Sequence, residues 1–492
     1  MAKWLNNVKE PIMKTVIKNL LALSIASIIT SQAAHATVPL SDYEYVGYQG
    51  QKVAAKKGTF MVPENRAKPN GKQLELTFVK FPTTSKNPGN PIVYLSGGPG
   101  GSATGTAKRK RFEMFKQLTQ VSDVILFDQR GTGLSNQNRR CTGTQPDLAS
   151  PTIWQEAVTQ VRKDIKDCVT HWQEMGIDLA GYNSKESAAD LVALTKALGS
   201  KKINLWGISY GSHLAFTTAK YHPQIIDKMV LASLEGLSHT IKSPQRVDDL
   251  ITQVSDLLAS REDTRKKYPT LKADLSQVMQ QLKAEPQIVT TRIMGSKELV
   301  KVGISDVDIQ FTLSYVFLVD PQHLAKLPRI VADMKAGNFA EIGSYVGTIK
   351  SRAGSYNPMS VAMDSASGID KARWQQVLQE AKTSLVGRTT NFPYPDVNDL
   401  VPVDDLGDNF RQEITNSTIP SLFVAGTFDG RTLYQSQVEL AKGFKNGSVL
   451  TVEGGGHNVY MTSPKIGEKV VQFLQGKSIP SQTIQLAALD FE

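Results

Sequence analysis

The chain has 492 residues, and 40% of them are hydrophobic, which is enough for a sizeable core in one large α/β domain with an insertion or in two domains. The formal net charge of +10 is a mild excess that does not by itself indicate a nucleic-acid partner. No run after residue 36 reaches the roughly 18 uninterrupted apolar residues of a membrane span, so we predict no transmembrane helix.

The first 36 residues have the pattern of a secretory signal. Lysines precede the apolar run LLALSIASII, and Ala34, His35 and Ala36 then form a small-residue cleavage site. Removal of residues 1–36 takes away four lysines and one glutamate and lowers the net charge to about +7. We therefore expect an exported protein, located in the periplasm or outside the cell.

Strand and helix patterns alternate through the first half of the mature chain. Residues 43–82 predict an antiparallel pair of strands around the turn-prone segment RAKPNG. Four short apolar runs follow, NPIVYLS, DVILFDQ, KINLWGIS and DKMVLASL, and helix-like segments separate them. This alternation predicts a mostly parallel central sheet flanked by helices, the α/β class.

The sheet pattern stops after the sixth predicted strand and returns near the C-terminus with SLFVAGTF and SVLTVEGGG. The intervening stretch contains periodic segments such as VDDLITQVSDLLAS and little strand alternation. We therefore predict a signal peptide over residues 1–36, a core in two parts over 37–239 and 401–492, and a mostly helical cap over 240–400.

The stretch NLWGISYGSHLAF joins a predicted strand directly to a predicted helix. Gly207, Ser209 and Gly211 form the pattern G-x-S-x-G, in which glycines allow a turn too tight for side chains and expose the serine hydroxyl above the sheet. The pattern alone is also found in ordinary structural turns. Its position between a strand and a helix favours a nucleophilic serine.

Two further strands end in residues that could activate this serine. Asp429 follows SLFVAGTF, and His457 follows VLTVEGGG. A serine hydroxyl is a weak nucleophile until an imidazole accepts its proton, and a carboxylate behind the ring fixes the tautomer. We predict Ser209, His457 and Asp429 to be nucleophile, base and orienting acid, although each could singly belong to an ordinary loop.

The loop Gly97–Gly101 follows the strand NPIVYLS and carries N–H groups that few side chains obstruct. Such donors can stabilise the negative charge that develops in acyl transfer. We predict the N–H groups of Gly98 and Tyr210 to form the oxyanion hole.

Three other features have simpler interpretations. The basic run Lys108–Arg111 lacks interleaved aromatic residues and is typical of a solvated helix face. Asp128 and Arg130 are expected to form a structural ion pair beside the site. Cys141 and Cys168 are the only cysteines, and in an exported chain they favour a disulfide over a metal site.

The segments SGGPGGSAT, FDQRGTGLS and GISYGS resemble the prolyl iminopeptidase and tripeptidyl aminopeptidase branch of the serine α/β-hydrolases. The resemblance spans most of the mature chain. It implies that Ser209, Asp429 and His457 form the catalytic triad, that the GGPG loop is an oxyanion element and that the helical insertion is a substrate cap. It implies no metal and no organic cofactor. Ser96, where iminopeptidases usually have histidine, and DGRTL, where relatives often have D-x-x-T-P, depart from the family pattern and weaken any transfer of substrate preference.

Enzymes of this branch bind the free amino end of a peptide with acidic groups. Glu235 follows the strand DKMVLASL, and we name it as the candidate substrate-binding carboxylate. A solvated turn glutamate is an equally good interpretation of the same pattern.

The sequence therefore predicts an exported serine aminopeptidase that releases one to a few N-terminal residues from peptides through an acyl-enzyme. The partners expected are peptides with a free amino end, without nucleic acid. A carboxylesterase is the alternative enzyme, because the same groups attack esters. A non-catalytic binding module on a hydrolase scaffold is the alternative from another class.

Overall fold

The computed structural model describes residues 37–135 and 140–492, so the predicted signal peptide lies outside the described residues. The main element of the described residues is a ten-stranded sheet. The strands in chain order are β1 (Ser41–Val46), β2 (Lys52–Pro63), β3 (Gln73–Phe81), β4 (Ile92–Leu95), β5 (Val124–Phe127), β6 (Cys141–Thr142), β7 (Ile203–Ser209), β8 (Ile226–Leu234), β9 (Gln287–Arg292), β10 (Leu299–Ile304), β11 (Ser355–Tyr356), β12 (Ser421–Gly426), β13 (Gly447–Glu453) and β14 (Gln482–Gln485).

The sheet is antiparallel at one side and parallel elsewhere. β1, β2, β3 and β5 pair antiparallel, whereas β5, β4, β7, β8, β12, β13 and β14 pair parallel in that order. The predicted α/β class with a mostly parallel sheet is confirmed. β1 was not expected, and it makes the strand before the insertion the seventh of the sheet.

Helices cover both faces of the sheet because its central strands are apolar on both sides. Val93 and Leu95 of β4 belong to one buried layer, and Ile92 and Tyr94 belong to the other. The helices outside the insertion are Ala103–Thr106, Phe112–Leu118, Trp154–Glu174, Ser184–Ala197, Tyr210–Tyr221, Tyr434–Ala441 and Pro464–Leu474. Trp154–Glu174, Ser184–Ala197 and Tyr210–Tyr221 pack on the first layer, and Phe112–Leu118 and Pro464–Leu474 pack on the second.

Residues 235–420, called here the insertion, connect β8 to β12, which are neighbours in the sheet. The helices of the insertion are Pro244–Ser260, Glu262–Arg265, Leu271–Ala284, Asp306–Thr312, Pro321–Leu324, Leu327–Lys335, Ala340–Lys350, Pro358–Ser367, Lys371–Ala381 and Gly407–Arg411, with a π-helical turn at Leu313–Phe317. Much of it has its own buried core, which also takes in Phe428, Leu433 and Phe491 from the C-terminal part of the chain. The limits 240–400 that the sequence indicates for a cap remain a prediction.

The insertion is not purely helical. β9 and β10 form an antiparallel hairpin in which Gln287 lies opposite Ile304. The segments IVTTR and LVKVGI are rich in β-branched residues, which favour strands, so the sequence contained the information for this hairpin.

The disulfide between Cys141 and Cys168 is present and joins β6 to the helix Trp154–Glu174. β6 also pairs with β11, which belongs to the insertion. The cysteine pair therefore anchors the segment through which the first half of the core contacts the insertion.

The expected ion pair between Asp128 and Arg130 is wrong. Both residues are fully buried, but the Asp128 carboxylate accepts hydrogen bonds from Ser102 and Thr104. Arg130 pairs with Asp190 instead, with Nε and Oδ2 2.7 Å apart. Both residues follow β5, but each has its own partners and no ion pair joins them.

Candidate active site

Ser209 lies at the junction between β7 and the helix Tyr210–Tyr221, with no residue between the two elements. Its backbone has φ 55° and ψ −128°, a conformation that costs energy for a residue with a side chain. A Cβ on Gly211 would lie 2.1 Å from the carbonyl oxygen of Leu95, and a Cβ on Gly207 would lie 2.6 Å from the carbonyl oxygen of Gly211. The glycines flanking Ser209 are therefore required by backbone contact, and the turn has the form of a nucleophile elbow.

Ser212, one turn into the same helix, supports the elbow from below. Its hydroxyl donates to the carbonyl oxygen of Ser209 at 2.6 Å and accepts from the N–H of Glu235 at 2.8 Å. The turn that carries Ser209 is thus linked to the residue that follows β8.

Asp429 and His457 are brought together at the ends of β12 and β13. The Nδ1 atom of His457 lies 3.0 Å from each carboxylate oxygen of Asp429. Because Asp429 occupies Nδ1, the other ring nitrogen, Nε2, is the one available to accept or donate a proton elsewhere.

Asp429 is fully buried and is held by a dense set of donors. Its Oδ1 accepts from the N–H groups of Arg431 and Thr432, both at 2.9 Å, and its Oδ2 accepts from the Thr432 hydroxyl at 2.7 Å. Burial opposes ionisation, but the attraction of His457 and the hydrogen bonds from His457 and Thr432 outweigh it and lower the pKa of Asp429. The carboxylate is therefore ionised and fixed in orientation beside the ring.

The glycine loop lies directly against Ser209. A Cβ on Gly97 would be 3.1 Å from the Cβ of Ser209 and 2.9 Å from the carbonyl oxygen of Ile208. Gly98 follows with φ +134°, and Tyr210 is the first residue of its helix, where N–H groups have no intrahelical acceptor. The amide of Tyr210 directly follows Ser209 in the chain, and the amide of Gly98 belongs to the loop that contacts Ser209; their role as an oxyanion hole stays a prediction.

Ser209 and His457 line one cavity of about 280 Å³, called here the acyl cavity. The residues that line it are Gly97, Gly98, Pro99, Arg111, Ile208, Ser209, Glu235, Thr240, Ile241, Lys242, Tyr315, Asp364, Thr390, Asn391, Phe392, Tyr394, Arg431 and His457. Residues of the core and of the insertion contribute to it together. The acyl cavity thus contains a serine, an imidazole backed by a carboxylate, and five further acidic or basic side chains, which are Arg111, Glu235, Lys242, Asp364 and Arg431.

Glu235 lies in the acyl cavity, as the sequence suggested, and a second carboxylate lies there that the sequence did not indicate. Glu235 is 5% exposed, and its Oε2 is 3.5 Å from Nζ of Lys242. Asp364, on the helix Pro358–Ser367, has no side-chain hydrogen bond or ion pair with any other residue the structure describes. Burial and the charge of Glu235 raise the pKa of Asp364 to about 8, although Lys242 and Arg431 oppose the shift.

Arg111 also lines the acyl cavity, in contrast to the other residues of the basic run. Lys108, Arg109 and Lys110 are exposed, as expected for a solvated face. Arg111 instead donates to the hydroxyl of Tyr94 at 3.0 Å and to Oδ1 of Asn458 at 2.9 Å, next to His457. The solvated interpretation holds for three residues of the run and is wrong for Arg111.

The insertion contacts the loops that carry Asp429 and His457 through backbone hydrogen bonds. The N–H of His457 donates to the carbonyl oxygen of Val319 at 3.0 Å, and the N–H of Gly430 donates to the carbonyl oxygen of Leu318 at 2.9 Å. On the other side, the Ser233 hydroxyl donates to the carbonyl oxygen of His457 at 2.7 Å. The loop with His457 is thus held between β8 and the insertion.

Comparison with known proteins agrees with this architecture. Residues 90–287 match the family described as alpha/beta hydrolase fold, and residues 401–485 match the family described as TAP-like protein. The chain has the α/β-hydrolase fold. The two matches fall on both parts of the core, but they leave residues 37–89 and most of the insertion unmatched.

Three curated relatives illustrate the range of similarity of this α/β hydrolase. It is 29% identical to a tripeptidyl aminopeptidase of Streptomyces lividans over 36% of this chain and 35% of the relative. It is 30% identical to a putative proline iminopeptidase of Mycoplasma genitalium over 31% of this chain and 35% of the relative. A putative hydrolase, YuaR, of Escherichia coli is 22% identical over 82% of each chain. The matched region thus spans about a third of the length of the two peptidases.

Two kinds of feature are absent from the described residues. Within residues 37–135 and 140–492, no helix combines the length and apolar character that crossing a bilayer requires. The same ranges contain no group of three or more His, Cys, Asp or Glu side chains placed to hold a metal ion.

Proposed function

We propose that this α/β hydrolase is an exported serine aminopeptidase that releases one to a few residues from the amino end of peptides. In the proposed reaction, Oγ of Ser209 attacks the scissile carbonyl carbon while Nε2 of His457 accepts its proton. The N–H groups of Gly98 and Tyr210 stabilise the oxyanion. His457 then donates the proton to the leaving amine, and water hydrolyses the acyl-enzyme by the same route.

The observation that carries this proposal is the composition of the acyl cavity. It places a buried carboxylate, Glu235, and a partly buried one, Asp364, in the same space as Ser209 and His457. A free α-ammonium group loses its hydration when it enters such a cavity and needs an anion to compensate. An ester substrate without a charged end has no such need.

The two carboxylates differ in the partners they already have. Glu235 lies beside Lys242, whereas Asp364 lacks a partner among the described side chains and has a pKa raised to about 8. An ammonium group next to Asp364 favours its ionised form, so binding of the substrate also creates the charge that holds it. We infer that Asp364 forms the ion pair with the amino end and that Glu235 strengthens the negative potential there.

Export is supported by the predicted signal peptide and by the disulfide between Cys141 and Cys168. Disulfides persist in oxidising compartments and are rare in the cytosol. Periplasmic and extracellular locations are both compatible with this pair.

A labelling experiment tests the catalytic proposal. A fluorophosphonate probe is expected to label the mature protein at Ser209, and Ser209→Ala is expected to remain unlabelled while retaining its thermal transition. Labelling of Ser209→Ala at the rate of the parent protein would refute the role of this serine.

A substrate experiment tests the peptidase proposal. The mature protein is incubated with a mixed peptide library, and the released fragments are identified by mass spectrometry; short N-terminal fragments are expected, and the same peptides with acetylated amino ends are expected to remain intact. Hydrolysis of simple acyl esters without cleavage of any peptide would indicate the carboxylesterase instead.

Two substitutions test the carboxylates. Asp364→Asn and Glu235→Gln are expected to reduce the preference for free over acetylated amino ends, with the larger effect at Asp364. Glu468→Gln, at an exposed carboxylate on the helix Pro464–Leu474, serves as the matched control. Unchanged discrimination in both cavity variants would refute recognition of the amino end by these groups.

A further inference from the structure

A second, larger cavity adjoins the acyl cavity. It has a volume of about 1050 Å³, and its accessible surface is mostly apolar, with contributions from Ile153, Val316, Val319 and Ile349. It is called here the distal groove. Residues 144–164 of the core and residues 294–356 of the insertion form most of its walls.

The boundary between the two cavities is made of aromatic side chains. Tyr315 and Phe392 line both cavities, and the Tyr315 hydroxyl donates to the carbonyl oxygen of Phe392 at 3.0 Å. Phe311 lies edge-on to Phe392, with ring centroids 5.2 Å apart. The groove and the acyl cavity are therefore neighbours that share a fixed aromatic boundary.

The groove lies on the side of the site where the leaving group must depart. Nε2 of His457 has to reach the leaving nitrogen in order to protonate it, so the chain beyond that nitrogen starts beside the ring. Val319, whose carbonyl oxygen accepts from the N–H of His457 at 3.0 Å, and Asn458 both line the groove. Glu235 and Asp364 line the acyl cavity and are not among the residues of the groove.

We propose that the distal groove binds the part of the peptide substrate that follows the scissile bond. The inference rests on the proposed peptidase function and adds to it a second binding region, selective for an extended polypeptide with apolar side chains. Peptides that continue beyond the cleaved bond are then better substrates than amides of the same acyl group with a small leaving group.

The walls of the groove are tied together before any substrate binds. Nζ of Lys350 donates to the carbonyl oxygens of Ser150 and Gly303, both at 2.8 Å, and lies 3.1 Å from Oδ1 of Asp308. These contacts join the core segment to the insertion across the groove. Because the walls are already ordered, binding a peptide does not cost the free energy of ordering them. Contacts between the peptide and the groove therefore contribute more fully to affinity.

Filling the groove gives a direct test. Ala157 lines the groove from the helix Trp154–Glu174 and is partly exposed, so Ala157→Trp places a bulky ring there. Thr159→Trp is the control, because it places the same ring at an exposed site of the same helix that does not line the groove. The substrates carry one acyl group, chosen from the library experiment, joined either to p-nitroaniline or to an apolar decapeptide.

Ala157→Trp is expected to lower kcat/KM for the decapeptide substrate by about tenfold or more and to change the p-nitroanilide by less than about twofold. Thr159→Trp is expected to behave like the parent protein with either substrate. Equal losses on the two substrates, or no loss on the decapeptide, would overturn the proposal while leaving the peptidase function intact.

A binding measurement separates this inference from the proposed function. A fluorescent decapeptide library with free amino ends is titrated into Ser209→Ala and into the double variant Ser209→Ala, Ala157→Trp, and binding is followed by anisotropy. Weaker binding to the double variant supports the groove even if the parent protein cleaves no peptide. Equal binding to the two proteins, or no binding to either, overturns it.

Discussion

The substitution Asp429→Asn tests the proposed catalytic set most sharply, because the surroundings of Asp429 determine how the new amide must lie. Oδ1 accepts two backbone N–H groups, from Arg431 and Thr432, both at 2.9 Å. The asparagine oxygen must keep that position, since an NH₂ group there would face two donors. The NH₂ group then takes the place of Oδ2, 3.0 Å from Nδ1 of His457, and the hydroxyl of Thr432 can turn to accept from it.

The NH₂ group in this orientation donates to Nδ1 and so stabilises the tautomer of His457 that carries its proton on Nε2. The other tautomer keeps a bond to the asparagine oxygen, which is also 3.0 Å from Nδ1, but it directs the Nδ1 proton toward the protons of the NH₂ group as well. A ring protonated at Nε2 cannot accept the proton of Ser209. Loss of the correct tautomer in such a site lowers kcat by about 10⁴-fold, which corresponds to about 5.5 kcal/mol of transition-state stabilisation.

Steady-state kinetics on the best library-derived substrate, together with thermal unfolding, measures this effect. Asp429→Asn is expected to unfold near the temperature of the parent protein, because the volume and most hydrogen bonds are retained. Asp167→Asn, which alters an exposed aspartate paired with Lys163, is the control and is expected to keep full activity. A fall in kcat of less than about tenfold in folded Asp429→Asn would refute the assignment of Asp429 as the orienting acid.

Three further predictions concern stability. Replacing Cys141 and Cys168, which are separated by 27 residues, with serine is expected to lower the free energy of unfolding by about 3–4 kcal/mol in guanidinium denaturation, because the unfolded chain gains entropy; an unchanged midpoint would contradict this. Gly211→Ala is expected to cost about 1–3 kcal/mol or more, because its Cβ would lie 2.1 Å from the carbonyl oxygen of Leu95; a parent-like melting temperature would show that this contact is unimportant. The raised pKa of Asp364, about 8, means that its contribution to stability is lost as the pH rises through that value. Asp364→Asn should therefore lose less unfolding free energy than the parent protein between about pH 6 and pH 9, and parallel curves would contradict the raised pKa.

The elements that carry the candidate site could be predicted because they combine local patterns with a simple geometric rule. β7 and β12 are short buried runs, and β13 buries Leu450 and Val452 in alternation. All three lead into glycine-containing turns, and the carboxyl ends of parallel strands meet at one edge of a sheet. Ser209, Asp429 and His457 could therefore be named from their positions after these strands.

Asp364 and Arg111 could not be found in this way, because neither follows a strand. Asp364 lies on a helix whose pattern reports only which face is buried, and its place in the acyl cavity depends on how the insertion packs. Arg111 belongs to a run of four basic residues that are equivalent in sequence, and packing alone directs one of them inward. The hairpin of β9 and β10 differs from these cases, because its β-branched residues do favour strands. The periodic helical segments around it led instead to the prediction of a mostly helical cap.

The carbonyl oxygens of Val319 and Leu318 accept backbone hydrogen bonds from the loops of His457 and Asp429. These hydrogen bonds limit how freely this enzyme could be redesigned. Exchange of the whole insertion for one from another hydrolase would remove both carbonyl acceptors and would release the loop of His457, the proposed general base, together with the insertion residues that line the acyl cavity. A working chimera would have to retain Leu313–Phe317 and the two residues after it and vary only the surrounding helices. The same main-chain segment of the insertion therefore affects both substrate selectivity and the positions of the proposed reactive groups, and the insertion cannot be exchanged as an independent unit.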